Sequence, residues 1–245
     1  MSSRLVEPLL APPTRNPTAC AVCGVLLTGV YYYLPDRPQC YCERCMTVRP
    51  RCACCAAPVG DDGWTLHDGR IQCAACHRTA IYDVAEANAL FQSTTKALES
   101  YPGLHLQVGA AFRLVDAPTL NGLAAQGGIV AEDNQHTLGL YHRQGRLRVV
   151  YALYGLPKLL FREVIAHEYA HVWQGEHCPL LNDYEWREGS AEWVAYHHLL
   201  HMGASKAAER LRTHQHPYRS GLDKCLALEA RVGVRGVLAA LRTME

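Results

Sequence analysis

His167-Glu168-Tyr169-Ala170-His171-Val172-Trp173-Gln174-Gly175-Glu176-His177 lies in the second half of a chain of 245 residues, and its first five residues set the expected architecture. Two imidazoles four positions apart turn onto one face of a helix, roughly 40° apart and one turn displaced, where both can ligate one zinc ion. Glu168 then projects beside the ion, as a base must to take a proton from zinc-bound water. The flanks agree with a helix. Pro157 sits where a missing N–H costs nothing, and Gly175 sits where a helix would stop. Leu160, Val164, His167 and His171 share one stripe, and Leu159, Phe161, Ile165, Val172 and Trp173 make much of the remaining circumference apolar. The helix therefore reads as buried, where unpaired imidazoles would be costly.

A catalytic zinc keeps three protein ligands and an open position, so a third residue must come from beyond His171. His177 lies six residues further on, the distance of the HExxHxxGxxH pattern, but Gln174 occupies the position of its turning glycine and Gly175 comes one residue late. No convincing Met-turn follows, since Met202 is set in His-Met-Gly. The rival is Glu188. Asn182 or Asp183 can cap a helix there and Gly203 can close it, which puts Glu188, Glu192, Ala195 and Leu199 on a shared face. Glu192 can then accept the N–H of a ligating histidine and fix its tautomer. The misplaced glycine and the paired carboxylates favour Glu188 over His177.

The stretch Leu153-Tyr154-Gly155-Leu156-Pro157-Lys158-Leu159-Leu160, running into His167-Glu168-Tyr169-Ala170-His171-Val172-Trp173 and then Glu188-Gly189, resembles the peptidase domain of the DA-one family, LIM-domain metallopeptidases activated by ubiquitin. The similarity covers roughly residues 100 to 203. It implies an α+β, zincin-like (gluzincin-type) peptidase domain and places the third ligand at Glu188, because the family's Glu-Gly pair falls at this distance past the second histidine. Two departures stand out. Glu192 replaces an expected glutamine, and no ubiquitin-interacting helix is legible ahead of the cysteines, so activation by ubiquitin is not carried over.

Ahead of this region, CxxC pairs recur at Cys20/Cys23, Cys42/Cys45, Cys52/Cys55 and Cys73/Cys76. Each pair can form a knuckle, and two knuckles complete a four-thiolate zinc site. Sequential pairing, as in LIM domains, gives Cys20, Cys23, Cys42 and Cys45 one ion and Cys52, Cys55, Cys73 and Cys76 the next; a cross-braced arrangement is the alternative. The spacer after Cys45 is longer than a standard LIM domain has, and cysteine replaces the usual histidine, so the module is LIM-like. Cys40 and Cys54 are spare thiols that can substitute for Cys42 or Cys52, whereas Cys178 and Cys225 read as small apolar residues. Three zinc ions are expected, two structural and one catalytic. A disulfide framework would need an oxidising compartment, and the Met1-Ser2-Ser3-Arg4 start shows no long apolar signal segment, so a cytoplasmic setting is expected.

The remaining expectations concern organisation. A flexible lead-in spans residues 1–18, a LIM-like module residues 19–82, a linking helix residues 83–100, and a zinc peptidase domain residues 101–245. Strands are expected at Leu104–Val108, Phe112–Val115, Leu138–Tyr141 and Arg146–Leu153, the last as the edge strand that aligns an extended substrate. Helices should follow from Ser205. A net charge of +1 gives no bulk attraction to nucleic acid, and no segment approaches membrane-spanning length. The leading expectation is therefore an endopeptidase acting on protein or peptide substrates, its LIM-like module available to a protein partner. A non-catalytic zinc-binding scaffold is the alternative, and a DNA-associated repair protease fits the weak charge poorly. An oxyanion donor would come from Tyr184, His197, His198, His201, His214, His216 or Tyr218, among which the sequence does not choose.

Overall fold

The computed structural model describes residues 9–10, 19–34, 37–126, 137–213 and 216–244. It is a mixed α+β chain that divides into two compact units, one formed by the cysteine-rich residues up to Ala80 with Gly155–Pro157, the other by Ile81–Tyr154 and Lys158–Glu245. The expected lead-in, apart from Leu9–Leu10, lies outside the described residues.

In the cysteine-rich unit, strands β1 (Leu9–Leu10), β2 (Tyr31–Tyr33) and β3 (Cys40–Cys42) form an antiparallel sheet, followed by helix α1 (Glu43–Val48). Strands β4 (Trp64–Thr65) and β5 (Ile71–Gln72) form a hairpin leading to α2 (Ala74–His77). Two knuckles are built alike. Gly24 N–H donates to the Cys20 carbonyl and Cys20 N–H to the Val25 carbonyl; Ala56 and Cys52, then Cys52 and Ala57, repeat both bonds at 2.9 Å. The residue after each second cysteine must be left-handed, which suits Gly24 (φ +73°) and is imposed on Ala56 (φ +57°). Gln72 Nε2 donates to the Gly155 carbonyl at 2.5 Å, and Ala80 bridges to Pro157.

The second unit opens with α3 (Val84–Ser100), capped by the Asp83 side chain on Glu86 N–H. Strand β6 (Ala111–Val115), helix α4 (Ala117–Gln126), and strands β7 (Gly139–Gln144) and β8 (Leu147–Leu153) follow. β8 is central, parallel to β6 and antiparallel to β7. The strand expected to form the edge is therefore interior; β6 and β7 are the edges instead. Nor do residues 104–108 form a strand, because the N–H groups of Gln107 and Val108 are taken by the Glu176 carboxylate, which also pairs with Arg148.

Helix α5 (Lys158–His177) packs against this sheet and continues through Gly175 to His177. Gly175 instead packs closely on Tyr141: a Cβ there would lie 3.2 Å from the hydroxyl. Phe161, Ile165, Val172 and Trp173 are at most 2% exposed, each burial contributing about 1.5–3 kcal/mol. Phe112 of β6 stacks on Phe91 of α3 and meets Phe161 of α5 edge to face. Helix α6 (Tyr184–His201) is capped by Asp183 on Trp186 N–H and terminated by Gly203 in the left-handed region. Helices α7 (Ser205–Thr213) and α8 (Arg219–Leu241) complete the unit. α6 and α8 cross at Gly189 and Gly221, so closely that a Cβ on Gly189 would fall 2.3 Å from the Gly221 carbonyl carbon. Among the described residues no helix is long and apolar enough to cross a membrane.

Candidate metal centre

His167 and His171 project from one face of α5, and Glu188 reaches them from the first turns of α6. The two Nε2 atoms are 3.2 Å apart, and Glu188 Oε2 lies 3.4 Å from each. The tautomers follow from the outer nitrogens. His167 Nδ1 faces Glu192 Oε2 at 3.1 Å, and a carboxylate oxygen only accepts. His171 Nδ1 lies 2.8 Å from Gln174 Oε1, whose amide is oriented by Nε2 donating to the Arg187 carbonyl at 2.7 Å and to Ser190 Oγ at 2.9 Å. Both Nδ1 atoms therefore carry the proton in the neutral rings, and two bare Nε2 lone pairs meet an anionic oxygen. Without a cation, these lone pairs and the oxygen repel one another. Ligands about 2.0–2.1 Å from a tetrahedral zinc would stand about 3.3 Å apart, which the observed separations match.

Electrostatics run the same way. Burial disfavours the charged form of Glu188, but positive charge on His171 and His167, protons there taking the place of a cation, outweighs it and holds the carboxyl far below the usual range. Burial likewise opposes protonation of His167, and Glu188 and Glu192 more than compensate, raising its pKa. The enclosure of three carboxylates around two imidazoles is thus suited to positive charge. Glu192 is fully buried, 0% exposed.

Glu168 stands beside this cluster, outside the converging triple. Its Oε2 accepts the Tyr141 N–H of edge strand β7 at 2.8 Å. Gly139 makes this approach possible, since a Cβ there would lie 2.9 Å from Glu168 Cγ and 2.4 Å from Val164 Cγ1. His177 is turned elsewhere: its Nε2 faces the His105 carbonyl at 2.9 Å and Glu176 Oε1 at 3.4 Å.

The other sequence-predicted donors separate clearly. His197 is held between Tyr101 and Glu229, His201 stacks on Tyr101, and His216 faces the Leu211 carbonyl with its Nε2 3.9 Å from Glu192 Oε1. His198 is buried on α6, and His214 lies outside the described residues. Tyr218 remains near the cluster, its ring 5.6 Å from that of His167 and 2% exposed. Burial and then the charge of Glu188 raise its pKa, and the same two causes raise that of Tyr184.

The eight paired cysteines form two further clusters. Cys20, Cys23, Cys42 and Cys45 make one and Cys52, Cys55, Cys73 and Cys76 the other, with the sulfur atoms of each within 4.8 Å of one another. The arrangement is sequential. Cys23 and Cys42 are 3.7 Å apart and Cys55 and Cys73 3.8 Å, near the roughly 3.8 Å edge expected for sulfurs 2.3 Å from a tetrahedral zinc. Cys40 and Cys54 stand outside; Gln72 Nε2 donates to Cys54 at 3.2 Å. Arg37 Nη2 donates to Cys76 at 3.1 Å. Cys178 and Cys225 are buried thiols whose pKa values burial pushes up to about 11 and about 12.

Two contributors escaped sequence reasoning. Gln174 was read only as a misplaced turn residue, yet it orients His171. Gly139 carried a usable signal, because a glycine inside a strand marks a close backbone approach. Comparison with family models, characterised proteins and solved structures returned no match.

Proposed function

We propose that this chain is a zinc-dependent endopeptidase of the zincin-like, gluzincin-type class, related to the DA-one peptidases. The observation that carries the reading is the convergence of His167 Nε2, His171 Nε2 and Glu188 Oε2 at 3.2–3.4 Å, with both Nδ1 atoms engaged elsewhere and Glu168 left outside the ligand set. A pure scaffold has no need of a base in that position.

When bound there, zinc supplies an acidified water and a Lewis acid for the scissile carbonyl. Glu168 takes the water's proton and returns it to the leaving amine. Edge strand β7 orients the substrate backbone, its Tyr141 N–H fixing the base at the same time. Tyr218, with Tyr184 beside it, supplies the hydroxyl donor to the developing oxyanion. Glu192 and Gln174 hold the two imidazoles in their ligating tautomers.

The two four-cysteine clusters hold structural zinc in the LIM-like module. Val25, Leu26, Val30 and Val48, each more than half exposed, border one concavity of that module, which supports a protein partner there. The test is Glu168→Gln. It should retain three zinc ions per chain by elemental analysis and lose cleavage of a denatured protein substrate by about 10²–10⁴-fold; undiminished cleavage refutes the assigned role.

A further inference from the structure

We propose that the cleft beside the His167/His171/Glu188 cluster selects peptides carrying a carboxylate within about two residues of the bond to be cut. The inference deepens the peptidase reading and rests on it. The cleft encloses about 430 Å³, and the ionised side chains that line it are Glu168, Glu188, Arg143 and Arg187. Both carboxylates are committed, Glu188 to the imidazoles and Glu168 to the Tyr141 N–H. The charge offered to an incoming ligand is therefore that of the two guanidiniums.

Arg143 belongs to edge strand β7, two residues beyond Tyr141 and on the same face, so it lies about 7 Å along the strand from the residue that fixes the base. Its Nη1 donates to the Gly175 carbonyl at 3.1 Å and its Nε to the Gly145 carbonyl at 3.3 Å. Neutral partners thus hold the side chain in place and leave its charge uncompensated: among the described residues it forms no ion pair. Arg187 enters from α6, immediately before Glu188. Its carbonyl is held by Gln174, its guanidinium touches Glu188 Oε1 only at 3.4 Å, and its side chain is 48% exposed.

A peptide extended along β7 advances by about 7 Å every two residues, so a side chain two positions from the scissile bond arrives beside Arg143. A guanidinium fork binds a carboxylate bidentately and repels an ammonium. That carboxylate can be a Glu or Asp side chain, or the peptide's own C-terminus when it falls at the same distance.

The test separates recognition from turnover. Zinc-loaded Glu168→Gln protein is titrated, by fluorescence anisotropy, with labelled peptides bearing Glu, Gln or Lys at the two positions on either side of a fixed bond, each with a free and an amidated C-terminus. Glu peptides should bind roughly tenfold or more tightly than Gln peptides, Lys peptides least. Amidation should matter only where the terminus lies within that reach. Arg143→Glu, added to the same background, should invert the Glu/Lys order, and Arg187→Gln should shrink it. Peptides that bind alike, or not at all, overturn the proposal, as does a Glu preference that survives Arg143→Glu. If the preference and its inversion are found but the zinc-loaded wild type cleaves none of the peptides, the peptidase reading falls and carboxylate selection stands.

Discussion

Gln174→Ala removes three hydrogen bonds in one step: the acceptor for His171 Nδ1 at 2.8 Å, and donors to the Arg187 carbonyl at 2.7 Å and Ser190 Oγ at 2.9 Å. Two consequences separate. With its Nδ1 unpartnered, the His171 ring is free to rotate and to carry its proton on Nε2, which removes the lone pair the metal needs. Loss of such an orienting group lowers metal affinity by about 10–100-fold, or about 1.4–2.7 kcal/mol. Independently, the buried amide at position 174, 5% exposed, no longer donates its two hydrogen bonds, costing about 1–3 kcal/mol of folding stability. Gln174→Glu divides the two effects, since it keeps the acceptor and loses the donor. Competition against a chromogenic chelator reads metal affinity at the His167/His171/Glu188 cluster, and urea unfolding reads stability. Gln174→Ala should lose both, whereas Gln174→Glu should lose stability and keep the metal. The reasoning is refuted if the alanine variant binds its third ion as tightly as wild type, or if the glutamate variant loses the ion equally.

Other outcomes follow from the packing around the same helices. Gly189→Ala would drive a methyl to within 2.3 Å of Gly221 backbone; forced backbone separation should cost about 3 kcal/mol or more in urea unfolding and lower occupancy of the His167/His171/Glu188 site. Glu163 is fully buried and takes a 2.6 Å hydrogen bond from Arg210, so Arg210→Met should destabilise by about 3–5 kcal/mol, and adding Glu163→Leu should recover much of that loss. His198 is buried with no hydrogen-bond partner on either ring nitrogen among the described residues, and burial, with the charges of Arg162 and His201, lowers its pKa to about 4. Because the folded pKa lies below the unfolded value near 6.5, its contribution is complete above pH 6.5 and is lost as pH falls from there toward 4, about 3 kcal/mol in all. Comparison of His198→Leu with wild type by urea unfolding at pH 7.5 and 5 should show a smaller acid loss in the variant; equal losses would exclude this histidine as a cause.

The helix bearing His167 and His171 was legible because its chemistry is local: two rings at a four-residue spacing lie together on any helix. The capped helix of Glu188 and Glu192 was legible for a similar reason, whereas the spacing of the cysteine pairs left sequential and cross-braced use both open. What failed was pairing across the chain. Arg146–Leu153 alternates as a half-buried edge strand should, but alternation does not reveal that β6 covers its other side. Residues 104–108 read as a strand from their apolar content, while the carboxylate of Glu176, some seventy residues away, takes the N–H groups a ladder would need. Gly175 was read as a stop, yet the helix runs on to His177, and the glycine lies against the Tyr141 side chain of β7. Gln174 was invisible as a partner of His171 since amides three residues on from a histidine are ordinary; only the conjunction with Arg187 and Ser190 makes it an anchor.

The matched turns at Cys20–Gly24 and Cys52–Ala56 bear on how the cysteine-rich unit assembles. Each sets two sulfurs side by side through hydrogen bonds that span only four or five residues, so the ordering entropy of such a claw is small and independent of the rest of the chain. On the proposed zinc reading, a nascent polypeptide can seize a cation by either claw before its sheets exist, the ion then recruiting the distant pair, so that metal capture nucleates the unit rather than finishing it.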